Sequence, residues 1–438
     1  VANRNTIIPA TFAANYYIGI NSTNIAAAAN TVYSVQSGNW NSTSTWNTGV
    51  VPASTDTVTI TVGTTVTVDN SVTATACTSL AIVINGTLNV TANALSTNST
   101  ATGTGITMGS FGILNVSGGA VTVGATGTNR FYTLATAAAT TSQLNVSGGT
   151  LTINGNLNIQ SPSIFSQTAG TISVDGNLDN TPASSVPSLT ALVSIKSPNL
   201  NLTGGTLIIV DPHANATASR AFEYAVATTS YNAGVGHTVQ FGNGTSTDRG
   251  GNVIGFAINP YSSTGRFNFG NIVVSGSATS LGNRNVTQQS YSNGINGNLD
   301  ISGATGHFDM NAFALYVAGN VTVNTGAFLT ASATLNFSGF YNTGTVTPSS
   351  NAQTLSGAGT FRNLAASPTA NFNSITINNN NATGVTFSGS TWNATANATV
   401  SGTLTFTNGF LNVSGQANGL TLGISGAAAG TLAYTAGG

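Results

Sequence analysis

The side chains able to do acid, base or metal chemistry are few: 438 residues carry 8 Lys+Arg, 9 Asp+Glu and 3 His. Cleaving a polysaccharide needs a positioned acid and base, usually paired carboxylates or a carboxylate beside a basic group. Three places bring such groups close in sequence: Asp175 with Asp179, Asp211 with His213 around Pro212, and His307 with Asp309 on one face of HFDM. Each reads equally well as a solvated turn carboxylate or an isolated histidine, so no catalytic residue is assigned. Charge is densest in residues 211–294, which hold Arg220, Arg249, Arg266, Arg284 and Glu223 among interleaved Phe and Tyr residues. Arg249, Arg266, Tyr261 and Tyr291 are the candidate ligand contacts, because an aromatic face beside a guanidinium can hold a glycan or a partner protein. The competing reading is a core of larger coils with surface pairs such as Asp248–Arg249.

Composition removes several classes. Charged residues make up 4% of the chain against roughly 25% in an average soluble domain, so the surface must be neutral hydroxyl and amide. A net charge of -1 leaves no basic footprint for nucleic acid, whose affinity rests on neutralising phosphates. Cys77 is alone, and neither G-x-x-x-x-G-K-[ST] nor HExxH occurs; nucleotide, zinc and thiolate sites are set aside, and no cofactor or metal is expected. Apolar runs such as Leu80 to Ile84 fall far short of the roughly 18 residues of a spanning helix, so no membrane insertion is expected. An apolar content of 40% with many β-branched residues argues for a folded, all-β chain.

The elements that would position these residues repeat along the chain. A strand, a Gly-containing corner and a second strand recur as ILNVSGGAVTV from Ile113, QLNVSGGTLTI from Gln143, IFSQTAGTISV from Ile164 and NLNLTGGTLII from Asn199. Apolar residues alternate with Thr, Asn or Ser, and period two means strand. The step from Gly149 to Gly170 is 21 residues and that from Gly119 to Gly149 is 30, so the core spacing is fixed while one loop varies. Asn-Gly corners also suit hairpins and hence a sandwich or barrel. Near-identical units at this spacing instead predict stacked coils of a right-handed parallel β-helix, about 4.8 Å per coil and roughly 16 coils long. Residues 1–36 lack the coil pattern and are read as an atypical N-terminal cap or assembly segment; 37–438 are read as one continuous β-helix with an irregular inserted region at about 211–294. Sheet ends expose unpaired strand edges, so self-association through the solenoid ends is expected. The Thr-x-Thr runs at Thr57–Thr61 and Thr65–Thr67 are too few for an extended hydroxyl array.

SGNWNSTSTWNTGVVPASTDTVTITVGTTVTVDN, from Ser37 to Asn70, followed by SLAIVINGTLNV, resembles the opening of secreted β-helix proteins of Bacteroidota. AQTLSGAGTFRNL at Ala352, SITINNNNATGVTFSG at Ser374 and SGTLTFTNGFLNV at Ser401 are similar to the adhesin-like repeats of the same proteins. The resemblance implies a right-handed parallel β-helix, a cell-surface or extracellular location and export by type IX secretion. A chain opening at Val1 without a basic-then-apolar leader fits export after signal-peptide removal. Asp56-Thr57-Val58 matches the Asp-(Ser/Thr)-apolar site at which that phylum attaches O-glycans, which makes Thr57 a candidate acceptor. The expectation is a non-enzymatic, structural or adhesive surface protein, a filament subunit joined end to end, with glycans or other cell-surface components as partners. The alternatives are a polysaccharide lyase or glycoside hydrolase on a β-helix, or a glycan-binding module.

Overall fold

The computed structural model describes residues 31–342 apart from 70–77, 80, 99–104, 125–131, 137, 139–140, 177–190, 211–219, 245–254, 263, 276–284, 290–291, 303–305, 332–334 and 338; from 345 to 434 it describes the strands. The chain winds as a right-handed parallel β-helix whose short strands stack into three long faces. The first face is a 13-stranded sheet running from Thr31–Tyr33 to Thr345–Pro348. The second begins as a seven-stranded sheet from Gly38–Asn39 to Leu200–Leu202, passes through Tyr231–Asn232 and Gly265–Asn268, and resumes as seven strands from Asn293–Ile295 to Thr431–Tyr434. The third is 14-stranded. Among the described residues, regular pairing begins at Thr31, whose strand pairs in parallel with Thr57–Ile60. It also passes through the region read as irregular, where Arg220–Tyr224, Gly236–Phe241, Phe256–Asn259 and Asn271–Ser275 keep their places in the first and third sheets.

Period-two patterning decides which residues go inside. In-register pairing then sets each one on its counterpart in the next coil. One interior column on the third face runs Leu95, Val121, Leu151, Ile172, Leu207, Val239, Ile272, Leu299, Val321 and Phe340. Outside, Asn89, Asn115 and Asn145 stack on the second face, where Asn115 donates its amide to Asn89 Oδ1 and Asn145 donates to Asn115 Oδ1, each at 2.8 Å. The two Thr-x-Thr runs separate, Thr57 and Thr59 lying in the first sheet and Thr65 and Thr67 in the second.

The corner between the second and third faces stacks Gly119, Gly149, Gly170 and Gly205, whose carbonyls at 119, 149 and 170 accept from Thr150, Thr171 and Thr206 of the next coil. Gly149 has φ of 63°, and a Cβ there would lie 2.1 Å from the carbonyl oxygen of Gly119. Only glycine satisfies both demands. At the start of the helix Trp40 and Trp46 are buried edge to face, ring centroids 5.1 Å apart, with the Trp46 indole N–H donating to the Trp40 carbonyl at 2.8 Å. The two tryptophans of the W, five residues, W pattern therefore fill the first coils.

One polar pair interrupts the interior. Gln167 takes the place that Val90, Val116 and Val146 hold in the preceding coils. Its Oε1 lies 3.2 Å from Nε2 of the fully buried His237, and its Nε2 donates to the Thr206 carbonyl at 3.0 Å. Burial lowers the His237 pKa from 6.5 to about 4, so the imidazole is neutral in the folded chain.

Two predictions follow from the stacking and one from the imidazole. Leu144→Ala, which empties one step of an interior column, should cost about 2–5 kcal/mol, and Asn115→Ala, which strands both neighbouring amides, about 1–3 kcal/mol; guanidinium unfolding followed by circular dichroism measures both. Between pH 6.5 and 4 the unfolded chain binds the proton that buried His237 refuses. Stability should therefore be level above the upper limit and fall by about 3 kcal/mol through the window. The His237→Gln variant keeps a neutral partner for Gln167 and should lose this slope, while contributions from other groups cancel in the difference.

Candidate functional site

The second face departs from its regular stacking where the sheet is divided. There Tyr261–Ser262 and Gly265–Asn268 pair as an antiparallel hairpin, with Tyr261 opposite Arg266. All other described strand pairs are parallel. The hairpin is anchored by alternation: Phe267 and Phe269 point to the core and are buried, which turns Arg266 outward, where it is exposed. Beneath lies an aromatic cluster. Phe222 packs against Phe267 and Phe269 at 5.0 and 5.1 Å, and Tyr224 and Tyr231 flank Phe267 at 5.6 and 5.7 Å. Burial raises the Tyr224 pKa to about 12 and also raises that of Tyr231. Each hydroxyl is bonded within the fold: Tyr224 donates to the Thr229 carbonyl at 2.8 Å, and Tyr231 accepts from the Leu202 N–H at 2.6 Å.

On the outer side of this segment lies a cleft of about 380 Å³, lined from three successive coils by Arg266 and Asn268, by Ser292 to Asn296, and by Tyr316 to Ala318. Its cause is a single glycine. Gly294 sits in the outward column between Asn268 and Tyr316, pairing with Tyr316 in register, and a Cβ at 294 would come 2.4 Å from the Asn268 Oδ1. The missing side chain leaves a notch walled by the Tyr316 ring, which is 46% exposed. Asn268 donates its amide to Asn232 Oδ1 at 2.6 Å and Asn296 donates to the Ala233 carbonyl at 2.9 Å. Both carboxamides are thus fixed by their nitrogens. Asn293, in the same rung as Gly294, is buried to 2%, and neither its Nδ2 nor its Oδ1 has a protein partner.

Of the four residues read as ligand contacts, Arg266 lies in this cleft. Tyr261 pairs opposite it through the backbone, and its side chain, like the whole of Arg249 and Tyr291, lies outside the described residues. Tyr316, Asn268 and Gly294 were not singled out from the sequence. A signal existed, because the LYV of Leu315–Val317 puts Tyr at the outward position where other coils have Asn or Thr. Thr57 begins the strand Thr57–Ile60, and the neighbouring Asp56 accepts from the Ala53 N–H at 2.7 Å, holding the turn that follows Pro52.

The acidic and histidine groups are spread out. His307 and Asp309 share the outer side of one strand, but the imidazole Nε2 sits 2.7 Å from Thr330 Oγ1 and the carboxylate accepts from the Asn311 N–H at 2.8 Å. Burial lowers the His307 pKa, opposed by Asp309. Asp300, on the third face, has its pKa raised by burial and accepts from Asn324 at 2.8 Å. Glu223 is buried on the first face, and Asp175 follows a strand of the third. Asp179, Asp211, His213 and Cys77 lie outside the described residues. Among the described residues no three of His, Cys, Asp and Glu gather as a metal set, and no helix is long and apolar enough to cross a membrane.

Residues 45–183, about a third of the chain, match the G8 domain. The match opens beside Trp46 and takes in the Val-Pro, Asp56 and TVTI segment together with the first Asn column, and it ends before the cleft. G8 domains are typical of extracellular proteins. No curated protein and no solved structure matches the chain.

Proposed function

We propose that this protein is an extracellular, non-catalytic surface protein, a stiff rod with a structural and adhesive role that assembles end to end. The observation that carries the reading is the parallel, in-register stacking of the coils along the first and third faces. The third face alone stacks 14 strands, and its outward column runs Ser96, Thr122, Thr152 and Ser173 in the early coils before Ile208, Gln240, Val273 and Asp300 take that place. A rod built of in-register backbone hydrogen bonds and a surface poor in charge has little for salt to act on. The G8 match supports an extracellular setting. The Bacteroidota-like segments support export by type IX secretion to the cell surface. The described carboxylates Asp175, Glu223, Asp300 and Asp309 lie on or beside different strands, which supports a non-catalytic role, since glycosidic cleavage usually pairs two of them roughly 5–10 Å apart.

End-to-end joining is supported by where apolar surface is left uncovered. Among the described residues, Tyr33, Val35, Val50 and Val62 are 43%, 53%, 63% and 66% exposed and belong to the first coils, while Phe111, Val235, Tyr316 and Phe328 are exposed farther along. A head-to-tail contact through the first coils would cover the former four, and such a contact generates an open filament.

Negative-stain electron microscopy across a concentration series tests the assembly. Filaments should lengthen with protein concentration to a similar extent in low and high salt, and Val62→Lys should shorten them. Uniform single rods at every concentration would refute end-to-end joining.

A further inference from the structure

We propose that the cleft over Gly294 binds an acidic oligosaccharide, one whose sugar rings carry a carboxylate or sulfate. The proposal supplies the ligand for the adhesive reading and rests on that reading only for where such a ligand is met. The cleft lies outside residues 45–183, the part that matches the G8 domain.

The groups that line the site define what can fill it. Asn268 and Asn296 each give an amide N–H to the protein, and the oxygen of each carboxamide is an acceptor. A ligand must bring O–H groups to meet them. Arg266 contributes the opposite chemistry, a planar guanidinium that suits carboxylate or sulfate oxygens. It is exposed at the rim, in a chain with only 8 Lys+Arg. Tyr316 adds a ring of which nearly half is open, an apolar plane of the kind that the C–H face of a pyranose covers. Hydroxyl donors, an anionic acceptor and an apolar ring face occur together in an acidic sugar. A nucleic acid would need a row of cations along its phosphates, and the cleft has one arginine.

The glycine ties these features to the fold: any side chain at 294 fills the notch between the Tyr316 ring and the amide oxygens.

Isothermal titration of the full chain with three hexasaccharides tests the proposal: oligogalacturonate for the carboxylate source, a sulfated galactan for the sulfate source, and maltohexaose as the neutral control. At least one acidic ligand should bind with Kd below about 1 mM and at least about tenfold more tightly than maltohexaose, given the worth of a hydrogen bond to a charged group. Arg266→Gln and Tyr316→Ala, both at outward positions, should each weaken that binding about tenfold or more without changing the thermal melt. Arg266→Gln should also flatten its salt dependence. Absence of binding by both acidic ligands, equal binding of maltohexaose, or unchanged affinity in both variants would overturn the proposal. Filament length in the microscope is an independent readout, so failure here leaves the rod and its assembly standing, and failure of assembly leaves the cleft standing.

Discussion

Everything in this fold depends on one constraint, the parallel, in-register hydrogen-bond ladder between successive coils. Because each strand pairs with the same positions above and below, every residue has its counterpart for a neighbour about 4.8 Å away on both sides. A side chain is therefore tested chiefly against its own kind. Leu, Ile and Val pass the test inside, as the ten-step column from Leu95 to Phe340 shows. Asn passes it outside, because a carboxamide donates in one direction and accepts in the other, so that Asn115 serves both Asn89 and Asn145 at 2.8 Å. Gly passes it at the corner, where backbone meets backbone and a Cβ at Gly149 would lie 2.1 Å from the Gly119 carbonyl oxygen.

The same constraint explains how much could be read in advance. Period two in ILNVSGGAVTV and its echoes, with glycines 21 residues apart at Gly149 and Gly170, specifies strand, corner and stacking together, and the structure places Leu114 on Leu144 and Asn115 on Asn145 accordingly. What could not be read is which column each outward residue joins. Gly294 and Tyr316 are 22 positions apart in the chain, and Asn268 is 26 positions before Gly294; only the register, set by loops of unequal length, makes the three adjacent. Arg266 was legible because charge is rare. Tyr316 was hidden inside a triplet, LYV, that reads first as one more core strand.

Local exceptions to the ladder carry the chemical interest. Gln167 places an amide where the neighbouring coils place Val146 and Leu202, and His237 places an imidazole beside Gly205. Gln288 follows Ile258 in a first-face column of apolar residues, with neither side-chain polar atom bonded to protein. The hairpin at Tyr261–Arg266 breaks the parallel pairing of the second face, and that break is where the cleft opens. A uniform solenoid surface is flat and repetitive, so selectivity for a small ligand has to come from an interruption.

The scarcity of charge is also a consequence of stacking. Two like charges about 4.8 Å apart repel by about 1 kcal/mol in water and by several at the lower effective dielectric of a protein surface, and in a column that penalty would recur at every coil. Asp300 shows what a single carboxylate requires: it lies beside Thr322, not another acid, and takes the amide of Asn324 at 2.8 Å. A chain that repeats its coils closely can repeat Asn, Thr and Ser without limit but Asp, Glu, Lys and Arg hardly at all. Composition at 4% charged residues is thus what the ladder permits. Arg266 stands where the repeat is broken, at the divided face, with the uncharged Tyr261 opposite it in the hairpin.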